Sequence, residues 1–373
     1  MANENSFSPD WVSPPGDTIA AILAKRGVSE RDFALRIRRT LNDVEALIRG
    51  RAPITAEIAR ELADVLGSSE SFWAKREASY RQGLERLRSE SSQPESVDWL
   101  NEVPVKEMVE RGWVGPVGDT TDTVEACFRF FGVSSVGSWR ESYRDPLESA
   151  TFRTSKSFTS HPGAVAAWFR RGEILASQIR CSAWDRGRFE KEMLNSRPLT
   201  RWRNPAVFIP ELTKRCADCG VAVVVLRAPD MCKASGACLF LSPRRPLILL
   251  SGRHLSDDHL WFTFFHEAGH LILHGDNYIF VDDDGTVEEY SAREEDEANI
   301  FAANILVPPE HQGELERLTA NKVAVMRFAV RVGVSRGIIV GQLQNRGIIA
   351  HNMLNGLKQR YTWGQDDVLQ LNP

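Results

Sequence analysis

No apolar run in this sequence reaches the roughly 18 to 20 residues needed to span a bilayer, and the opening stretch MANENSFSPDWVSPPGD lacks the basic and apolar regions of a secretory signal. The expectation is a cytoplasmic protein with no membrane partner. Cysteine is scarce, six in 373 residues, which fits thiols that stay free or bind metal in a reducing compartment; no disulfide is expected. An excess of one charge is also missing. Forty-six Lys plus Arg face 50 Asp plus Glu, a net of -4, so any electrostatic case for nucleic acid must be local. There is no internal repeat and no low-complexity tract.

Apolar residues make up 42% of the chain and aromatics 9%, with ten tryptophans, the balance of a folded protein with a sizeable core. The length exceeds the roughly 100 to 200 residues of one ordinary domain, so two or three are expected. Residues 1–88 read as five short amphipathic helices with explicit punctuation. Pro14 and Pro15 open the first, Ser29, Thr40 and Thr55 cap the next three, and Gly27, Gly50 and Gly67 stand where helices stop. The polar stretch RSESSQPES reads as a linker, and residues 97–205 as a helical connecting region. After Gly220 the period changes. VAVVVL, ACLFL and PLILLS are short strands by length and composition. A long helix from about Leu255 to His274, an acidic loop, a helix from about Glu294 to Leu306 stopped by Pro308 and Pro309, and a helical tail complete residues 206–373. The fold class is mainly α with a small β-sheet, an α+β arrangement.

The chemistry is concentrated in LWFTFFHEAGHLILHG. His266 and His270 are four apart on one helical face and can reach one metal ion, with Glu267 beside the open position. A chance HExxH in a chain of this size has a frequency on the order of 1%, so its context decides. A catalytic zinc site needs a third protein ligand and an open fourth position. Glu294, Glu295 and Glu297 are candidates; Glu295 shares a helical stripe with Ala298, Ala302 and Ile305, which favours it, with Glu297 as runner-up. His274, followed by Gly275, reads as a residue serving the helix end, with a substrate contact as the alternative. Asp282, Asp283, Asp284, Glu288 and Glu289 read as a solvated loop.

At these residues the chain resembles the ImmA/IrrE family of metallopeptidases: HEAGHLILH is similar to that family's HExGHxxLH, and EDEANIFAANILVP to its ExEANxFAxxLLxP. The first Glu of the second motif is the family's third metal ligand and falls on Glu295. The resemblance implies a zincin-like, gluzincin-like endopeptidase using Zn2+, with Mn2+ as the alternative metal. In it Glu267 activates water, and the protein substrate is typically a repressor or antitoxin. Residues 1–88 resemble the Cro/C1-type (XRE) helix-turn-helix, especially its HigA antitoxin branch, through PPGDTIAAILAKRGVSERDFALRI and GRAPITAEIARELADVLGSSESFWAKREASY.

In such a module the third helix enters the major groove with its first residues at base edges. That names Arg39, Thr40, Asn42 and Asp43 as base-edge candidates, and Arg36, Arg38, Arg39, Arg49 and Arg51 for phosphates. Residues 1–90 balance 14 Lys plus Arg against 14 Asp plus Glu, and Arg38 stands at the turn position where that family often has Gly. Weak DNA binding is therefore expected, with homodimerisation or partner docking as the competing role. Between Arg153 and Arg203, 11 basic residues meet 4 acidic ones, interleaved with Trp168, Phe169, Trp184, Phe189 and Trp202. Ligand sensing is one reading of that stretch, helical core the other. Cys216, Cys219, Cys232 and Cys238 read as core thiols rather than a zinc knuckle. Two functions compete: a zinc endopeptidase cutting a regulatory protein, and a non-catalytic regulator or antitoxin whose metal domain senses or docks. Glu267 favours the first, because a docking domain has no need of it.

Overall fold

Punctuation residues set the amino-terminal helices where the sequence places them. The computed structural model describes residues 12–147, 160–242, 244–275, 280–282 and 289–372, with backbone alone for 280–282 and 289–292. Helix α1 (Pro15–Arg26) has proline in its first turn and stops at Gly27, φ 64°. Helix α2 (Glu30–Arg36) is capped by the Ser29 side chain. Helix α3 (Leu41–Ile48) carries a reciprocal cap: the Asp43 amide donates to Thr40 Oγ1 at 3.2 Å, and the Thr40 amide to Asp43 Oδ2 at 3.0 Å. Helices α4 (Ala56–Leu66) and α5 (Glu70–Ser91) start at Thr55 and Ser69. Between α2 and α3, Arg38 is left-handed at φ 55°, a conformation costing a non-glycine residue roughly 1 kcal/mol. Ile19, Phe33, Val44, Leu47, Leu62 and Trp73 form the core of this bundle.

Helices α6 (Pro94–Trp99), α7 (Val105–Glu110), α8 (Thr120–Phe131) and α9 (Val136–Trp139) follow. The stretch expected as a linker is helical instead: α5 runs to Ser91, whose buried hydroxyl donates to the Leu87 carbonyl at 2.7 Å, and Pro94 starts α6. Polarity misled there, because those serines satisfy helix ends. Trp99 packs on Phe128 and Trp139 at ring distances of 4.9 and 5.4 Å, and the chain divides into two compact units, 1–101 with 114–141 and 102–113 with 142–373.

The second unit is built on a four-stranded sheet of order β1-β3-β2-β4. Strands β1 (Ala222–Val225) and β3 (Pro246–Leu250) are parallel; β2 (Gly236–Phe240) and β4 (Phe280–Asp282) are antiparallel additions. Helices α10 (Pro162–Ser177), α11 (Arg186–Ser196) and α12 (Pro205–Asp218) precede the sheet. One face of the sheet, with Val223, Cys238, Ile248 and Leu250, joins the main core. On the other, Leu249 meets α10 at Gly172, where an added Cβ would lie 2.8 Å from its side chain. Coverage on both faces explains why these strands are continuously apolar.

Helix α13 (Asp257–Leu273) crosses the core face and buries nearly its whole circumference; α14 (Glu289–Leu306) packs along it. Helices α15 (Pro309–Leu315), α16 (Lys322–Val332) and α17 (Arg336–Asn345) follow. Two expectations are corrected here. Part of the acidic loop is strand β4, and the tail is not wholly helical: β5 (Tyr361–Trp363) and β6 (Leu369–Leu371) pair antiparallel. Strands of three residues carry too little periodicity to be read without their partners. Among the described residues no helix is long and apolar enough to cross a membrane.

In the first unit, an added Cβ at Gly16 would lie 1.9 Å from the Ile48 carbonyl oxygen. Gly16→Ala must force α1 and α3 apart. We expect a loss of about 3 kcal/mol from the amino-terminal unfolding transition, read by urea denaturation.

Candidate active site

Helix α13 presents Phe262, His266 and His270 in one row, because residues four apart share a face. Nε2 of His266 and Nε2 of His270 lie 3.0 Å apart. Helix α14 brings Glu295 to the same point, one oxygen 3.2 Å from His266 Nε2 and the other 3.3 Å from His270 Nε2. These separations are close to the edge of a coordination tetrahedron, about 3.3 Å for metal bonds near 2.0 Å, so the three donors fit one divalent ion. Among the described residues this is the one group of three or more His, Cys, Asp or Glu that could hold a metal.

The electrostatics suit that role. Burial pushes His270 down to about 4, with Glu295 only partly opposing it, so the imidazole is neutral at pH 7. Burial alone would raise Glu295, but hydrogen bonding to His266 and His270 outweighs it and holds the carboxyl well below the usual range. Two imidazoles and one carboxylate are a donor set for a hard to borderline dication.

A second layer orients the first. His266 Nδ1 is 3.0 Å from Asn299 Oδ1, so that when a metal takes Nε2 this contact holds the proton on Nδ1. His270 Nδ1 is 3.0 Å from His274 Nδ1, and His274 Nε2 donates to Glu297 at 3.2 Å. Arg293 Nε donates in turn to Glu297 at 2.9 Å. One protonation pattern satisfies the whole row: the proton on His270 Nδ1 points to His274, and that on His274 Nε2 to Glu297. Glu297 thus belongs to this outer row, and Glu294 takes no part among the described contacts.

Glu267, next to His266 on the helix, brings its carboxylate against Gly236 of β2 and is fully buried. The space it fills exists because residue 236 of β2 is glycine: an added Cβ there would lie 2.6 Å from Glu267 Oε1 and 2.5 Å from Thr263 Cγ2. A cleft of about 150 Å3, lined by Phe262, Leu306, Gln342, His259 and the Asp258 and Lys358 pair, adjoins the metal helix one turn before His266. The Phe262 ring stacks on His266 at 6.3 Å.

Residues 219–343 match the family model described as Peptidase_M78, IrrE N-terminal-like domain. The chain carries an IrrE-like domain of metallopeptidase type. That family implies a divalent metal, which the His266, His270 and Glu295 group fits. Toward the amino terminus the chain is similar to an uncharacterized HTH-type transcriptional regulator, YddM, of Escherichia coli (strain K12), 37% identical over 59 residues. That match covers 16% of this chain and 63% of the regulator. The two matches are consistent with a helix-turn-helix module fused to an IrrE-like domain.

The residues expected at DNA are differently placed from one another. Arg39 is half-buried and bonds both oxygens of Glu61, at 2.9 and 3.2 Å. Thr40 and Asp43 cap each other. Asn42, Arg49 and Arg51 are exposed, as are Arg36 and Arg38. In the basic aromatic stretch, Trp168, Phe169 and Phe189 are core, and Trp202 is exposed; residues 153–159 lie outside the described residues. Cys216, Cys219, Cys232 and Cys238 are buried. Asp283, Asp284 and Glu288 also lie outside the described residues. Sequence reasoning missed Asn299, Gly236 and the link from His274 to Glu297. The HxxxH spacing continued to His274 was the available signal for the last; Gly236 had none, since its role comes from a strand register.

Removing an outer partner of a ligating histidine typically costs 10 to 100-fold in metal affinity. We expect about that loss for His274→Ala, and a smaller one for Glu297→Gln, by competition against a chelating dye at pH 7.

Proposed function

We propose that this protein is a zinc-dependent endopeptidase of the HExxH-plus-glutamate kind, coupled to a DNA-binding module, that cuts a regulatory protein of repressor or antitoxin type and thereby controls transcription in the cytoplasm. The convergence of His266 Nε2, His270 Nε2 and Glu295 within 3.0 to 3.3 Å carries the reading. In it residues 1–88 are the helix-turn-helix, 97–205 the connecting region and 206–373 the catalytic part.

When bound, a divalent ion supplies a Lewis acid for the scissile carbonyl and makes water more acidic. Glu267 takes the proton of the attacking water on its carboxylate and returns it to the leaving amine. Burial of that carboxylate against Gly236 fixes its direction. Asn299 and His274 keep the two imidazole Nε2 atoms aimed at one point. Phe262 walls a cleft suited to one substrate side chain.

For the amino-terminal module, α3 presents Asn42 as the reading residue, while Arg36, Arg38, Arg49 and Arg51 hold phosphates. The Arg39 and Glu61 pair makes Arg39 a framework residue, and the capped Thr40 and Asp43 are similarly occupied. Few phosphates are then neutralised, so binding is weak and its salt slope small. A symmetric dimer suits a module that reads two half-sites.

Two experiments test these roles. Glu267→Gln should retain metal and slow cleavage of the repressor- or antitoxin-type substrate by at least about 100-fold, followed by mass spectrometry; cutting at the wild-type rate would overturn the mechanism. In a titration against the gene's own upstream duplex at about 50 mM salt, Asn42→Ala should abolish sequence preference and Arg51→Ala should only soften affinity. Absence of saturable binding by folded protein would replace DNA binding with partner docking.

A further inference from the structure

Helix α16 breaks the rule that a surface helix turns polar residues to water. Its sequence is KVAVMRFAVRV, and Val325, Phe328, Ala329 and Val332 enter the core. Yet Val323, Met326 and Val330, at i, i+3 and i+7, lie on the outer side with exposures of 55%, 37% and 67%. They form an apolar stripe about 10 Å long. Beside it opens a groove of about 260 Å3, to which Met326, Val330, Leu357 and the exposed Trp202 contribute. Tyr361 also lines it. Its side chain is almost wholly buried, and among the described residues its hydroxyl has no hydrogen-bond partner.

The charge around this apolar strip has one sign. Arg201, Arg203 and Arg336 border the groove, all exposed, and none has a carboxylate partner among the described residues. Helix α16 adds Lys322, Arg327 and Arg331 and contains no acidic residue; of these, Arg331 is paired with Glu314. The one carboxylate in the described lining is Asp257, which is buried and occupied by the Ser335 hydroxyl at 2.7 Å and the Gln359 amide at 2.9 Å. A local cationic rim on a chain of net charge -4 selects an acidic partner by complementarity. The stripe at i, i+3 and i+7 is the counterpart of an amphipathic helix laid on it. Nucleic acid fits less well, since three aliphatic side chains would face phosphates, and α17, which follows α16 after a short turn, buries Ile338, Ile339, Val340 and Leu343 and offers no reading face.

We infer that the outer face of α16 and the groove beside Trp202 form a docking surface for an acidic amphipathic helix of a protein partner. Trp202 and Met326 grip the apolar stripe of that helix, the three arginines take its carboxylates, and the Tyr361 hydroxyl meets a polar group at the groove floor. The surface reaches Asp257, the first residue of α13, so an occupant rests against the end of the helix that carries His266 and His270.

The test uses the full-length chain and a fluorescein-labelled synthetic peptide of about 14 residues, long enough to form a helix on a surface, with Leu at i, i+3, i+7 and i+10 and Glu at most other positions. Fluorescence anisotropy should show saturable binding that weakens as salt rises. Affinity should fall at least about tenfold for Val330→Asp and for the double change Arg201→Glu with Arg336→Glu. These sites are exposed, so an unchanged melting temperature verifies the fold of each variant. A peptide with Ser replacing Leu, or Lys replacing Glu, should bind far more weakly. Absent saturation, equal binding of the Lys peptide, or variants that bind as wild type would overturn the proposal. So would sedimentation equilibrium showing a wild-type dimer that Val330→Asp splits, since a second copy would then occupy the face.

Discussion

The metal centre depends on how closely α14 can approach α13 at Gly269. An added Cβ at that position would lie 3.3 Å from Ala298 Cα and 3.1 Å from the Phe301 ring. A hydrogen there, facing an alanine, leaves the two backbones close together where Glu295 reaches Nε2 of both histidines, and an added Cβ would push its neighbours back by a few tenths of an ångström. A larger side chain at either position would widen the gap and separate the carboxylate from the imidazoles, since packed cores transmit added volume rather than absorb it. The same contact delivers Asn299 to His266 and Glu297 to His274, because those residues lie on the α14 segment that Ala298 anchors. Two buried histidines and a half-buried glutamate are thus brought together on the strength of two small residues. The spellings HEAGH and EAN in this sequence are statements about helix spacing as much as about ligands.

Much of this was legible because helices advertise their ends and faces locally. Thr40 and Asp43, three apart, announce the cap of α3, and the apolar positions of residues 19 to 66 mark one buried face each. The strands β1 and β3 were readable as unbroken β-branched and aliphatic runs, since both sheet faces are covered. Where the signal is tertiary, the sequence is silent. Strand β4 exists through pairing with β2, and β5 through pairing with β6. The linker reading failed for a related reason: serine and glutamate are as much at home on a helix end as in a loop, and Ser91 closes its hydroxyl onto the preceding turn.

At the site, the two histidines and the glutamate between them follow from i, i+4 geometry, and the stripe through Ala298 and Ala302 selects Glu295 from its acidic neighbours. Glu297 shows the limit of that logic. It lies two residues on, faces a different direction, and serves His274 and Arg293. Gly236 was invisible because its importance is the register of β2 against β3, which opposes it to Leu250 and turns it toward Glu267. In the amino-terminal module, Arg39 was named for DNA because it precedes the reading helix. Its bidentate contact with Glu61, 22 residues away, is a long-range pairing that no local pattern encodes.

The central claim is one divalent metal per chain at the meeting point of α13 and α14. Anomalous diffraction from zinc-loaded crystals tests it most directly. The account predicts one strong peak per chain, with His266 Nε2, His270 Nε2 and a Glu295 oxygen at about 2.0 to 2.2 Å. A peak at Cys216 and Cys219, a peak coordinated by Glu297 in place of Glu295, or no peak between the two histidines would contradict it.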